Sequence, residues 1–419
     1  MLTRQNNMEF IADFHIHSKY SRATSRDMDV KHLAEWAKIK GITLIGTGDF
    51  THHLWLEELK NNLEDCGNGL FKYQGIYFIL TSEISSIYSK NNRTYRVHNM
   101  VFSPSFKTTD KINDRLSRLG NISSDGRPIL GLDASELARI VFDIDENCMV
   151  VPGHIWTPWF SVFGSMSGFD RIEDCFEDQT PKIFALETGL SSDPAMNWRL
   201  SALDRFTLIS NSDSHSPAKI GREANVFNCE MDYKTIREVL KTKDKKKFLY
   251  TIEFFPEEGK YHFDGHRLCE TRLSPEETKK YKGICPKCGK KVTVGVMNRV
   301  DQLADRPSGF KPENAIPFRN LIPFEEIIAE ARGVGKGSVV VAKEYHNYIA
   351  KFGTEFEILL KASKEDLLKS LPPRVAQGVL RVREGKINIK AGYDGEYGVI
   401  SIFGEDEKEE KVEKQLDLF

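Results

Sequence analysis

The chain is poor in cysteine, with seven among 419 residues, too few for a disulfide scaffold. It has no apolar run near the ~20 residues that cross a bilayer, so no membrane association is expected. The opening MLTRQNNMEF lacks an apolar stretch, so a signal peptide is not expected and a cytoplasmic protein is. No G-x-x-x-x-G-K-[ST] loop is present, which argues against a nucleotide cofactor. Net charge is nearly absent, at -2, so any electrostatic preference must come from how charge is distributed. No repeat of 20–50 residues is visible. What remains is an ordinary globular composition, 40% hydrophobic and 29% charged, long enough for two or three domains.

Up to about residue 230 one pattern recurs: a short apolar strand ends in a polar residue and helical sequence follows. Phe10-Ile11-Ala12 runs into Asp13, His15 and His17. Thr43-Leu44-Ile45 runs into Asp49 and His52. Tyr77–Leu80 leads to Glu83, Arg96-Val97 to His98, Met149–Val151 to His154, Ile183–Leu186 to Glu187, and Thr207–Ile209 to Asp213 and His215. Asp27 or Asp29 can cap a first helix that ends at Gly41. Alternating strands and helices predict a parallel sheet with helices outside, and a β/α barrel builds its active site at the strand ends. Residues 1–235 are therefore expected to form a catalytic barrel. Residues 236–300 are a basic segment, with fifteen Lys/Arg against eight Asp/Glu over 241–300. Residues 301–403 read as a small, mostly helical unit. It has helices at Phe324–Ala331 and Arg374–Arg383, breaks at Gly333, Gly335 and Gly337, and a hairpin over 387–403. Residues 404–419 form a tail of seven acids and three lysines, too charged to fold on itself.

Six of the eleven histidines fall at strand ends between 15 and 215. His15-x-His17 can point two imidazoles to one side, and Asp213-Ser214-His215 repeats the device. Asp49, Glu83 and Asp213 add carboxylates. Mixed imidazole and carboxylate sets suit zinc, manganese or iron better than magnesium, and Glu83 can bridge two ions. Such a cluster polarises phosphoryl oxygens and generates hydroxide at neutral pH, which suits phosphoester hydrolysis. His32, His53 and His346 have no such context.

This order of residues resembles the polymerase and histidinol phosphatase (PHP) superfamily. The resemblance implies a distorted seven-stranded β/α barrel with two or three divalent metals, zinc first, with manganese or magnesium as alternatives. It places one metal on His15, His17, Glu83 and Asp213, a second on Glu83, His98 and His154, and a third on His52 and His215 with Asp49. Glu83, Asp213 and His215 would be catalytic. Two departures concern the third metal. Ser21 stands where many members have histidine, and Asp49 and His52 are three residues apart instead of adjacent. The stretches GTGDFTH, PGHIWTPW, ETGLSSDP-x-MNWR, SNSDSHSP, DGHR-x-C, ICPKCG, VREGKI and GYDGEYG are similar, more narrowly, to endonuclease Q. That family nicks DNA immediately 5′ of deaminated bases (uracil, hypoxanthine, xanthine) and abasic sites, leaving 3′-hydroxyl and 5′-phosphate ends.

His266-x2-Cys269 and Cys285-x2-Cys288 have the spacing of a two-knuckle structural zinc site, with His262 as a competing ligand. Around it Lys279, Lys280, Lys282, Lys287, Lys290 and Lys291 could meet phosphates or simply form a solvated face. Trp156 and Trp159 beside His154, with Asp193, Asn197 and Trp198 beyond Glu187, are candidates for stacking on or reading a flipped base. Barrel-mouth packing is the other reading of the tryptophans. The last five residues, QLDLF, resemble the pentapeptide by which bacterial repair proteins bind the β sliding clamp. Gln415 would make the polar contacts, while Leu416, Leu418 and Phe419 fill an apolar cleft. The motif implies a bacterial protein. Two alternatives to the endonuclease remain: a phosphoesterase acting on a small substrate, and a non-catalytic, zinc-dependent nucleic-acid-binding subunit.

Overall fold

The computed structural model describes residues 8–404. The proposed clamp motif and the rest of the charged tail from 405 onward lie outside the described residues. Among the strands of the main body are β1 (Met8–Asp13), β2 (Leu44–Gly46), β3 (Ile76–Lys90), β4 (Arg93–Ser103), β5 (Met149–Pro152), β6 (Ala185–Glu187), β7 (Thr207–Ile209), β8 (Ala224–Cys229) and β9 (Phe248–Glu253). Strands β1, β2 and β3 pair in parallel, and so do β6 and β7. Strand β5 runs with them, because two antiparallel pairings relate it to β3 through β4.

Where ladder bonds lapse, single bonds close the barrel. The His154 and Ile155 N–H groups donate to the Glu187 carboxylate (2.8 Å) and carbonyl (3.1 Å), joining β5 to β6. Phe14 N–H donates to Asn211 Oδ1 (2.9 Å) and Ser212 N–H to Asp13 Oδ1 (3.1 Å), joining β7 to β1. The result is the distorted barrel that the motifs imply.

Side-chain alternation on β1 divides the core. Phe10, Ala12 and Phe14 enter an inner cluster with Phe102 and Phe227, while Ile11 joins the outer cluster beneath the helices. This is the period of two that a strand buried on both faces requires. Helix Val30–Lys40 lays Leu33, Ala34 and Ala37 on that outer face. Of the two cap candidates, Asp29 accepts the His32 N–H, and Gly41 ends the helix at φ 90°.

Two expectations change. Strands β3 and β4 are not separate strand–helix units but one antiparallel hairpin, from Leu80↔Ser103 to Lys90↔Arg93. Its two-residue turn, Asn91-Asn92, has φ of 52° and 60°, the left-handed pair that a tight hairpin turn needs and asparagine tolerates. Glu83 and His98 therefore lie inside strands rather than at their ends. The expected boundary after residue 235 falls within helix Tyr233–Thr242. Strands β8 and β9 pair antiparallel beside β1 and carry the sheet past that point.

Beyond β9 comes the hairpin of Asp264–His266 and Thr271–Leu273. Helices Phe324–Arg332, Val339–Phe352, Lys364–Ser370 and Pro373–Arg383 follow, then the pair Asn388–Lys390 and Val399–Ser401. A buried ion pair, Lys40 to Glu355 (2.6 Å), ties the first helix to this helical unit. Among the described residues no helix is long and apolar enough to cross a membrane.

Candidate metal centre

Three residues of the centre sit on strained backbone just past their strands. Asp49, His154 and Asp213 have φ of 50°, 30° and 47°. Left-handed conformations cost about 1–3 kcal/mol for such residues and persist where the surroundings over-determine them. Here they turn side chains sharply off the strand axis and into the barrel mouth.

Four of five imidazoles engage Nδ1 with an oxygen behind the ring, which in His15, His17 and His154 leaves Nε2 facing the centre. His15 Nδ1 meets both Glu187 oxygens at 3.0 Å, and His17 Nδ1 meets Asp49 Oδ1 at 3.0 Å. His154 Nδ1 lies 3.1 Å from Thr157 Oγ1, and His215 Nδ1 donates to the Asp213 carbonyl (2.9 Å). A partner on one ring nitrogen fixes the tautomer and presents the other nitrogen's lone pair. His98 is the exception, with Nδ1 2.6 Å from Glu83 Oε1.

These free nitrogens converge on two carboxylates. His17 Nε2 lies 3.1 Å from Asp213 Oδ1 and 3.3 Å from Glu83 Oε2; His15 Nε2 lies 3.7 and 3.6 Å from the same two oxygens. His154 Nε2 is 3.0 Å from Glu83 Oε1 and 3.2 Å from His98 Nδ1. Three overlapping groups result, each with its donor atoms within 4.8 Å of one another: His15, His17 and Glu83; Glu83, His98 and His154; His17, Asp213 and His215.

The donor set fits divalent cations. His15 Nε2 is buried without a hydrogen bond, and two imidazole nitrogens crowd one Glu83 oxygen. An orphaned buried acceptor costs about 1–3 kcal/mol, a cost that coordination removes. The electrostatics agree for the carboxylates and for His98. Burial pushes the Glu83 carboxyl up, but His98 and His15 hold it well below the usual carboxylate range. Asp213 is likewise held low by His15 and His17 against burial. Burial pulls His98 down to about 4, although Glu83 opposes this. Against burial, the same carboxylates raise His15, His17 and His154, so a cation entering here displaces their protons, whereas the ionised carboxylates and the neutral His98 already have the ligand form.

Asp49 and His52 join none of these groups. Asp49 Oδ1 holds His17, and its Oδ2 accepts from the Ser18 N–H (2.6 Å) and from the Ser18 and Ser21 hydroxyls (2.7 and 2.8 Å). It orients a ligand from behind. His52 N–H closes a turn onto the Asp49 carbonyl, and its ring stacks between Tyr20 (4.5 Å) and His53 (5.2 Å). His215 instead lies against His17, ring centroids 4.6 Å apart.

The comparisons agree with this architecture. The chain is similar to the crystal structure of the lesion-specific endonuclease PfuEndoQ of Pyrococcus furiosus. The TM-score is 0.86 at 33% identity, covering 96% of this chain and 97% of that one. The chain belongs to the endonuclease Q family. A second family structure holds endonuclease Q with a 27-mer duplex substrate carrying an abasic lesion at the active site; its TM-score is 0.83 at 32% identity, covering 95% and 98%. Residues 323–386 match the family described as the MJ0043 C-terminal domain. The uncharacterized protein MJ0043 of Methanocaldococcus jannaschii is 35% identical over 282 residues, covering 64% of this chain. The chain spans about a third, 34%, of that relative's length. The uncharacterized protein YqxK of Bacillus subtilis is 29% identical over 408 residues, covering 93% and 98%.

The remaining candidates sort themselves by contact. Ligand atoms of His266, Cys269, Cys285 and Cys288 all lie within 4.8 Å of one another. His262 is not in the group; it is buried, with Nδ1 unpartnered. The six lysines around this endonuclease Q ribbon are exposed. Trp156 is buried, its indole N–H donating to Asn197 Oδ1 (2.7 Å), so both are committed to packing rather than facing a base. Asp193 caps a short helix by accepting the Met196 N–H (2.8 Å). Trp198 packs edge-on against Phe318, under Lys311. Trp159 alone of the five is well exposed, at 46%, with the Arg96 guanidinium 5.3 Å from its ring. It lines a pocket of about 400 Å³ with His98, Arg127, His154, Leu190 and Asp213.

Sequence reasoning named neither Glu187 nor Arg127 as a site residue. Glu187 ends a strand like the others, which was a usable signal. Arg127 follows Gly126 in a loop and carries no local mark.

Proposed function

We propose that this protein is a DNA repair endonuclease that cuts the phosphodiester 5′ of deaminated bases and abasic sites. It leaves a 3′-hydroxyl and a 5′-phosphate. The observation that carries this is the end-to-end likeness to a family member whose structure holds an abasic duplex at its active site. The pocket floored by His98, His154 and Asp213 supports it. A lesion nucleotide swung out of the stack is bound there, with the adjacent phosphate over the histidines.

His15, His17, Glu83 and Asp213 would hold one cation, and Glu83, His98 and His154 a second. His17, Asp213 and His215 are the natural set for a third. Zinc is favoured, with manganese or magnesium as alternatives. Divalent cations there supply positive charge to a phosphoryl oxygen and acidify water. Glu83 would serve both of the first two positions, while Asp49 and Glu187, against the Nδ1 atoms of His17 and His15, would hold those rings in the ligating tautomer. In the reaction a water oxygen bonds to phosphorus, the bond from phosphorus to the upstream O3′ breaks, and O3′ takes a proton. His266, Cys269, Cys285 and Cys288 would hold a structural zinc.

The deciding experiment is a panel of labelled duplexes carrying uracil, hypoxanthine, xanthine or an abasic site, with product ends mapped, beside a chromogenic phosphate ester. Nicking 5′ of the lesion with the ester untouched is expected. Ester hydrolysis without nicking would favour the small-substrate phosphoesterase. Binding of lesion duplex with neither activity would favour the non-catalytic subunit. For the tail, Gln415, Leu416, Leu418 and Phe419 are proposed to engage the β sliding clamp, which raises the enzyme's local concentration on DNA. A chain lacking residues 415–419 should nick short duplexes normally and fail to retain the clamp.

A further inference from the structure

We infer that Arg127 is a further catalytic residue, holding a non-bridging oxygen of the scissile phosphate. The inference rests on the endonuclease reading above. Its ground is how firmly the loop is fixed and how little of the guanidinium the protein uses.

The loop is stitched down on both sides of Arg127. Asp125 accepts the Arg127 N–H (3.1 Å), and the Pro128 carbonyl accepts the Ser85 N–H (2.9 Å). Ile129 and Leu130 then pair in parallel with Ser85 and Ser86 of β3. Gly126 donates to the Tyr20 carbonyl (3.1 Å) and accepts from the Thr51 hydroxyl (3.2 Å). A Cβ on Gly126 would lie 2.3 Å from Asp49 Oδ2 and 2.4 Å from Ser21 Oγ, so only glycine lets the loop approach this closely. Arg127 is thus anchored above Glu83, two residues before the strand position it faces.

Its Nη1 lies 3.2 Å from Glu83 Oε2. A guanidinium has five N–H donors, and the rest meet no protein acceptor among the described residues. The side chain is 29% exposed and lines the pocket beside His98, His154 and Asp213. Glu83 occupies one corner of this cation, and the remaining donors are left for an anion entering the pocket. The planar fork matches phosphate oxygens two at a time. During hydrolysis the phosphorus centre gains an oxygen and negative charge, which a fixed guanidinium stabilises more than it does the ground state. Arg127 stays protonated throughout; the proton taken by O3′ comes from the attacking water.

The test compares full-length wild type, R127A and R127K on an abasic duplex, with metal content and melting recorded for each. R127A should lose about 10²-fold in kcat, as removal of one transition-state donor does, with metal content and melting unchanged. R127K, which keeps charge without the fork, should recover only part. Guanidinium ion added below denaturing levels should restore R127A in a saturable way. Wild-type kcat in fully metallated R127A would overturn the inference. So would a loss that added metal repairs and guanidinium does not, since Arg127 would then act only through Glu83. If wild type nicks no lesion, the endonuclease reading fails separately. Calorimetry with inorganic phosphate still decides Arg127: weaker binding by R127A upholds it, and equal binding overturns it.

Discussion

The barrel centre and the ribbon both gather metal-type side chains, yet the chain holds the two in opposite ways. In the barrel, His15, His17 and Glu83 are buried, and carboxylates behind the rings set their tautomers. Strands with a large apolar core position them before any ion arrives. In the ribbon, Leu273, Cys285 and Val292 are the whole buried cluster, with Cys269 packed against it. Cys288 is exposed, its Sγ 3.5 Å from His266 Nδ1. Three small buried residues cannot offset the ordering of some thirty. On the proposed reading, a metal in the barrel would fill a site the fold has made, whereas a metal in the ribbon would make the fold.

The sharpest way to break this contrast is to remove anchors from each site. Glu83→Ala or Asp213→Asn should abolish nicking, because each removes a ligand shared between groups, while circular dichroism and melting stay near wild type. Unfolding of either variant would mean that the barrel also depends on its metals. Cys285→Ser should lose one zinc per chain by elemental analysis and open residues 260–295 to protease. Retained zinc, or an unchanged cleavage pattern, would show that the ribbon folds without help.

Smaller effects sharpen the picture. Asp49→Ala should weaken metal affinity or activity about 10–100-fold, the usual cost of losing a partner behind a ligand. Metal titration of the stripped protein reads this directly. The smallest effect lies beneath the centre, where Glu253 accepts from Thr188 and Ser210 (3.1 Å each). Burial pushes its carboxyl up from 4.5 to about 8. The folded chain then binds a proton that the unfolded chain releases, so stability falls as pH rises through that window. Glu253→Gln should flatten the slope in denaturant titrations spanning it; an unchanged slope would place the titration elsewhere.

Much of this was legible from residue type at the ends of apolar runs. His15-x-His17 and Asp213-x-His215 stand out because strand ends seldom combine those residues. The ribbon was legible because knuckle spacing is rigid. Asp49 is harder to read because spacing does not encode φ: its left-handed backbone turns the carboxylate onto His17, Ser18 and Ser21. Glu83 and His98 lie mid-strand rather than at strand ends because the Asn91-Asn92 turn puts them on the two arms of one hairpin, Glu83 opposite Met100 and His98 opposite Ser85. Arg127 was invisible because what places it is long-range, a glycine packed on Asp49 and a strand laid on β3.

The β3–β4 hairpin has a consequence for how the chain folds. Its eleven paired positions are joined by two residues, so it closes on the ~1–10 μs scale of local hairpins. Strand β1 finishes its pairing with β8 only when Phe10 meets Phe227. Such distant contacts come late, because loop closure must precede the reward. Glu83 and His98 are therefore in place early, while His15 and His17 wait for the far side of the barrel. In a nascent chain the hydrolytic centre can become whole only once Ala224–Cys229 has been made and has joined β1.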